Sequence, residues 1–460
     1  MQQLRGQLRF MHLPKSNAEI PMSSSNRLSL TAAVFVNINI MLGSGIFINS
    51  ILLAQKAGPL STLIYPAVGL LILPLIVAFS TLLSHFPGGT FYEFGAHIHP
   101  LLGFVSSWGY FIGKLASAAL SIHFSMMTVQ QLIPLLQVFN TIVLDILVLV
   151  LFVLLNMFNV KTGRPIQYFF VALKTLAISI AVGAALALFN VSHFSSVLLP
   201  WAALPGTVPF VLFAFAGFEA SCSLSKNIEN PSKNAPRAIL FSYGIVLAII
   251  TLYQLCLYGA LGEKLGALDK SAFLMPYSYM LDSLFMLHPS IRAALLGAAL
   301  AGIAMSAFGA SYSILYSNVW NLHTLSGYNV VPFSALLRKL NRFYAPVACI
   351  IVAGLLEMGY LLGSGGQIAP LQIISATATV LSYTISALAF VAISFNTLHK
   401  LRMISVLSLL CCVFFMITSV FNAWAFGVVP YLIFGLALLV GLLMTFSCRK
   451  TGREVLEGMQ

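Results

Sequence analysis

Apolar stretches long enough to cross a lipid bilayer recur along this chain, and they decide what it can fold into. A spanning helix needs about 20 apolar residues. Runs bounded by Pro, Gly and charge fall near 28–54, 60–84, 101–133, 142–159, 165–189 and 204–225, then near 237–262, 290–316, 343–363, 371–394, 401–421 and 427–447. Twelve spans take up roughly 240 residues, and a chain of 460 supplies them with short connections to spare. Backbone amides in hydrocarbon must be satisfied within the segment, so each run reads as a helix. The expected fold is an all-α integral membrane protein of twelve transmembrane helices. Charged residues make up only 7% of the chain, against about 25% in soluble proteins. That excludes a water-soluble globule, a disordered chain and a coiled coil.

The net charge of +12 comes from 23 Lys and Arg spread thinly over the chain, which makes no nucleic-acid-binding domain. Their placement carries a different message. If residues 1–27 form a cytoplasmic tail, seventeen basic residues fall on the inner side: Arg5, Arg9, Lys15, Arg27, Lys161, Arg164, Lys226, Lys233, Arg237, Arg338, Lys339, Arg342, Lys400, Arg402, Arg449, Lys450 and Arg453. The outer loops hold Lys56, Lys264 and Lys270. Such a bias fixes topology, and it predicts a plasma or bacterial inner membrane protein with both termini, including a tail at 448–460, in the cytoplasm. The six cysteines lie in or beside apolar runs and read as packing residues.

Two spans are interrupted where a helix should be strongest. The first reads Met41-Leu-Gly-Ser-Gly-Ile-Phe47 and the sixth Phe213-Ala-Phe-Ala-Gly-Phe-Glu219. Glycine is costly inside a helix, and interruptions at matching places in two halves point to broken helices around a midplane site. Small residues recur every fourth position in spans three (Gly109, Gly113, Ser117, Ser121, Ser125) and eight (Ala294, Ala298, Gly302, Ser306, Ala310), a pattern that lets helices approach closely. At Gly43, Ser44 and Gly45 freed N–H groups at a helix start would attract a carboxylate. Carbonyls freed at Met41, Phe213 and Ala216, beside Gly217, would accept from an ammonium group. The alternative is that Gly-Ser-Gly serves only close helix packing.

The strings MLGSGIF and FAFAGFEAS, the following loop with Glu229, Asn230, Pro231, Pro236 and Arg237, and the segment Gly103–Trp108 together resemble the amino acid, polyamine and organocation permeases, over about residues 28–394. The loop Phe86-Pro-Gly-Gly-Thr90 is two residues shorter than is usual there, and Asn318 stands where many members have Arg. The resemblance implies a five-plus-five inverted repeat of the leucine-transporter type. The repeats would be residues 28–189 and 204–394, with two further helices in 395–447. By the same resemblance Ser44 and Gly45 hold the substrate carboxylate and Phe213 is an aromatic lid.

Intramembrane charges cost roughly 2.5–3.5 kcal/mol each on insertion scales, so each one needs a reason. Glu219 is either a protonatable gate or a local partner holding the break. Lys174 lies nine residues after Pro165, about 13 Å into its helix. It matches a fifth-span lysine of the resembled family that takes the place of sodium, and it is either a proton carrier or a permanent structural cation. Lys114, beside Ser117, would meet the substrate side chain or pair with Glu219. These three ions sum to +1, which disfavours cationic substrates. Asp145 and Glu357 read as packing groups. His85, His97 and His99 lack the accompanying ligands of a metal site, and Gly109–Lys114 is one residue short of a phosphate-binding loop. No enzyme chemistry, cofactor or metal is expected. The expected function is sodium-independent amino acid transport, proton-coupled or exchange-driven. The alternatives are a cationic amino acid or polyamine antiporter and a non-transporting sensor.

Overall fold

A computed structural model of the protein describes residues 27–158, 160–195, 206–269, 274–286 and 288–457; the tail at 1–26 and most of the segment leading into the sixth span lie outside them. The described chain is helical, with one isolated parallel bridge between Leu28 and Ile228. The first span is two helices, α1 (Leu30–Met41) and α2 (Gly45–Ala57). There follow α3 (Ser61–His85), a short α4 (Phe91–Ala96), α5 (Pro100–Leu132), α6 (Thr141–Asn156) and α7 (Val160–Ala187). The sixth span is again divided, into α8 (Val208–Phe215) and a single turn, α9 (Ala220–Ser223). Beyond it lie α10 (Pro231–Leu261), α11 (Glu263–Ala267), α12 (Met275–Phe285) and α13 (Pro289–Gly327). The chain closes with α14 (Ser334–Leu337), α15 (Val347–Ser364), α16 (Ile368–Asn396), α17 (Arg402–Phe426) and α18 (Val429–Glu457).

Among the described residues nine helical segments are long and apolar enough to cross a membrane, with α1 and α6 as shorter apolar helices. Outward faces are greasy. On α18, Leu432, Leu436, Leu439 and Leu443 are all more than half exposed and recur at helical spacing, which is a face made for lipid rather than water.

The centre is α5, flanked by α13 on one side and α16 on the other. Its small residues explain the close approach. A Cβ on Gly113 would overlap Ala378 of α16 at 2.1 Å, so that position tolerates no side chain. On α13, Gly302 faces Leu173 and Ala177 of α7 instead, and the Ser125 hydroxyl of α5 donates to the Ala304 carbonyl at 2.9 Å.

Two elements outrun the hydropathy pattern. α13 continues eleven residues past the expected end at 316 because Asn318 and Asn321, polar in sequence, are buried with partners: the Asn318 amide donates to the Phe111 carbonyl at 2.7 Å, and Asn321 donates to the Ser223 hydroxyl at 2.8 Å. α18 likewise stays helical to Glu457, past the expected end at 447.

Candidate functional site at two broken helices

The interruptions at 42–44 and 216–219 lie against each other. A side chain on Gly45 would meet the Phe213 ring at 3.1 Å, and one on Gly217, at φ +145°, would meet Met41 at 2.9 Å. At Gly217 both the space and the backbone angle forbid a Cβ, while at Gly45 a Cβ would press on the Phe213 ring and force it to shift. The second break is thus seated on the end of α1, and Phe213 lies over the start of α2.

At the first break Leu42 leaves helical geometry (φ −84°, ψ 53°) and α2 begins afresh at Gly45. The N–H groups of Gly43, Ser44, Gly45 and Ile46 have no acceptor among the described residues, and the Ser44 hydroxyl, buried, has none either. Four orphan donors at a helix start form a ready anion site. Of the three carbonyls expected to be free, Phe213 is partly engaged by the Ala216 N–H at 3.3 Å, while those of Met41 and Ala216 carry no backbone donor.

Lys174 reaches in from α7. Its ammonium donates to the carbonyls of Asn39 and Leu42, both at 2.9 Å, and lies 3.4 Å from the Ser306 carbonyl. The Ser306 hydroxyl also donates to Leu42 at 2.6 Å. Carbonyls released by the end of α1 are therefore capped by a tethered cation and a hydroxyl of α13. Nearby, the Asn39 amide donates to the Gln167 side chain, which also accepts from Ser313.

Lys114 does not stand free to meet a substrate side chain, because its ammonium is 2.8 Å from Oε1 of Glu219. The same carboxylate accepts from the Gly217 N–H at 2.7 Å and from the Tyr110 hydroxyl at 3.0 Å. An ion pair so enclosed persists because its remaining lone pairs are filled. It ties α5 to the second break. Ser117, one turn beyond Lys114, is buried on the same helix.

Other polar contacts join residues that no local pattern connects. His123 of α5 lies 2.6 Å from Asp145 of α6, while Glu357 of α15 takes a hydrogen bond from Ser311 at 3.3 Å. Outside the spans, Glu93 of α4 accepts from Thr90, to which it forms a capping box, and from the Tyr328 hydroxyl at 3.0 Å; Lys226 stands 3.3 Å away. Burial pushes the Glu93 carboxyl up, but Lys226 and the Thr90 donors outweigh it and hold it below the usual glutamate range.

Interrupted spans that cross at the centre of a helical membrane protein are the arrangement in which many secondary transporters place their substrate sites. The family model of the amino acid permeases matches residues 28–443, and the chain belongs to that family. An uncharacterized transporter of Mycobacterium bovis and one of Mycobacterium tuberculosis are each 24% identical over 266 residues, 55% of this chain and 57% of theirs. An uncharacterized protein of Methanocaldococcus jannaschii is 26% identical over 196 residues, 40% of this chain and 45% of that one. The matched segments thus span about half the length of these relatives. Among solved structures, a manganese transporter mutant of Eremococcus coleocola superposes with a TM-score of 0.55 at 14% identity, covering 95% of this chain and 97% of that one. That likeness speaks for the fold.

Proposed function

We propose that this permease moves amino acids by alternating access around the crossed breaks, on a twelve-helix frame with two inverted five-helix repeats and both termini cytoplasmic. The observation that carries the proposal is the pairing of four unengaged amides at Gly43–Ile46 with uncommitted carbonyls at Met41 and Ala216. A zwitterion needs both halves: donors for its carboxylate and acceptors for its ammonium. In this scheme Ser44 and Gly45 take the carboxylate, Phe213 closes over it, and Ser117 and the wall near Gly217 meet the side chain.

Lys174 supports sodium independence, since a tethered ammonium already occupies the carbonyls a sodium ion would need. With the Lys114–Glu219 pair internally neutral, Lys174 is left as the uncompensated charge of the centre. The substrate is then a neutral or acidic amino acid, driven by protons or by exchange.

The test is a thermal-shift screen of the purified protein against neutral, acidic and basic amino acids and polyamines. A ligand at 100 times its dissociation constant stabilises by about 2.7 kcal/mol. Stabilisation by arginine or polyamines alone would replace this proposal with a cationic antiporter, and stabilisation without uptake into proteoliposomes would replace it with a sensor.

A further inference from the structure

Away from the crossed breaks, a groove of about 330 Å³ opens between α5, α13, α14, α15 and α18. Its size falls at the small end of small-molecule sites, roughly 300–1,000 Å³. Every residue lining it is apolar, including Phe104, Leu322, Leu337, Val352 and Met444. The one polar atom on its floor, the Trp108 indole N–H, is spent on the Ala437 carbonyl at 3.1 Å. The groove therefore offers no hydrogen bond and asks for hydrocarbon.

The rim has the opposite character. Phe333 stands 81% exposed on a backbone at φ +53°, a conformation a bulky residue adopts only under constraint. Beyond it in the chain come Arg338, half-buried, and Lys339 and Arg342, exposed. Among the described residues none of these three cations is in an ion pair. No Asp or Glu occurs between Asp282 and Glu357. Arg338 spends its Nε on the Ser334 carbonyl at 3.3 Å, and the Arg342 guanidinium lies over the Phe343 ring at 4.7 Å. Leu336 and Leu337, on the groove wall, are followed directly by Arg338 and Lys339, with Arg342 three residues further on.

We propose that this groove holds an acyl chain of an anionic phospholipid whose phosphate sits on Arg338, Lys339 and Arg342. A lipid combines, in one molecule, the hydrocarbon the groove demands and the negative charge the rim demands. A second copy of this chain fits less well, because an isologous contact would bring two such cationic rims together. A soluble anion leaves the apolar groove without a purpose. The site is separate from the substrate centre and does not depend on what the protein carries.

The experiment is native mass spectrometry of the purified full chain titrated with phosphatidylglycerol and, separately, phosphatidylcholine of the same acyl composition. Phosphatidylglycerol should bind more tightly, by about fivefold for each cation engaged. The triple change Arg338→Gln, Lys339→Gln, Arg342→Gln should abolish the preference, and the double change Lys339→Gln, Arg342→Gln at the two exposed positions should weaken it while leaving the melting temperature unchanged. Ala348→Phe, which fills the groove, should weaken both lipids. Equal binding of the two lipids by the wild type, an undiminished preference in the triple variant, or unchanged lipid binding in Ala348→Phe would each overturn the proposal. So would full competition by inorganic phosphate, or a dimer that forms through this face and excludes lipid.

Discussion

Lys114 and Glu219 meet at 2.8 Å with both side chains enclosed, one on α5 and the other at the second break. Removing the ammonium alone leaves a buried carboxylate that still accepts from Gly217 and Tyr110 but has lost its counter-charge. Losing one partner of such a pair costs about 3–5 kcal/mol. Lys114→Met should therefore lower the melting temperature sharply, and the double change Lys114→Met, Glu219→Gln should recover part of the loss. In a competition assay the released carboxylate of Lys114→Ala should shift preference toward arginine and lysine. Strong competition by arginine in the wild type would show that the centre does not repel cations.

Gly45 faces the Phe213 ring where a Cβ would stand 3.1 Å away. Gly45→Val should abolish stabilisation by amino acids, because the branched side chain displaces the ring and covers the orphan amides. The protein should still insert. Retained ligand stabilisation in this variant would remove the carboxylate site from the first break.

Lys174 bridges α7 and the end of α1 through the Asn39 and Leu42 carbonyls. Uptake by the wild type should be the same when sodium is replaced by choline at fixed pH. Lys174→Ala should lose transport more than binding, since the ammonium links helices that must move. A measured sodium requirement in the wild type would contradict the assignment.

Glu93, outside the spans, sets an acid limit. Its carboxyl is held below the ordinary value in the folded protein. A depressed folded value contributes stability that is full above the unfolded value, about 4.3, and is lost as pH falls through the folded one. Melting temperature should thus drop more steeply for the wild type than for Glu93→Gln between pH 5 and 3, on the order of that unfolded value. Lys226 is a third exposed, so high salt should blunt the difference. Parallel curves for the two proteins would refute this.

The broken helices were legible in the sequence because glycine is punctuation there: Gly45 lies close under Phe213, and at Gly217 only bare backbone fits against Met41. The depth of Lys174 followed from counting residues along one helix. The resemblance set it in the place of sodium, but which carbonyls it meets was not legible, since Asn39 and Leu42 lie 135 and 132 positions away. For Lys114 two partners were open in the sequence, and distance alone decides between them. The His123–Asp145 pair and the Glu93–Tyr328 contact carried no signal, because each joins helices whose faces are set by packing. The last turns of α13 were misjudged for a related reason. Asn318 and Asn321 lower the hydropathy, yet they lie inside the protein with their amide N–H groups donating to partners on α5 and α9.

That same helix has a mechanical consequence. Ser306 fastens α13 to the Leu42 carbonyl at the first break, and Asn321 fastens it to Ser223 of α9, just past the second. The two anchor points are fifteen residues apart, about 22 Å along one rod. A rod pinned at two points cannot follow one broken helix while ignoring the other. Under the alternating-access scheme proposed above, a tilt that loosens the first fastening would load the second, so that opening toward one side of the membrane and closing toward the other would be strokes of a single lever.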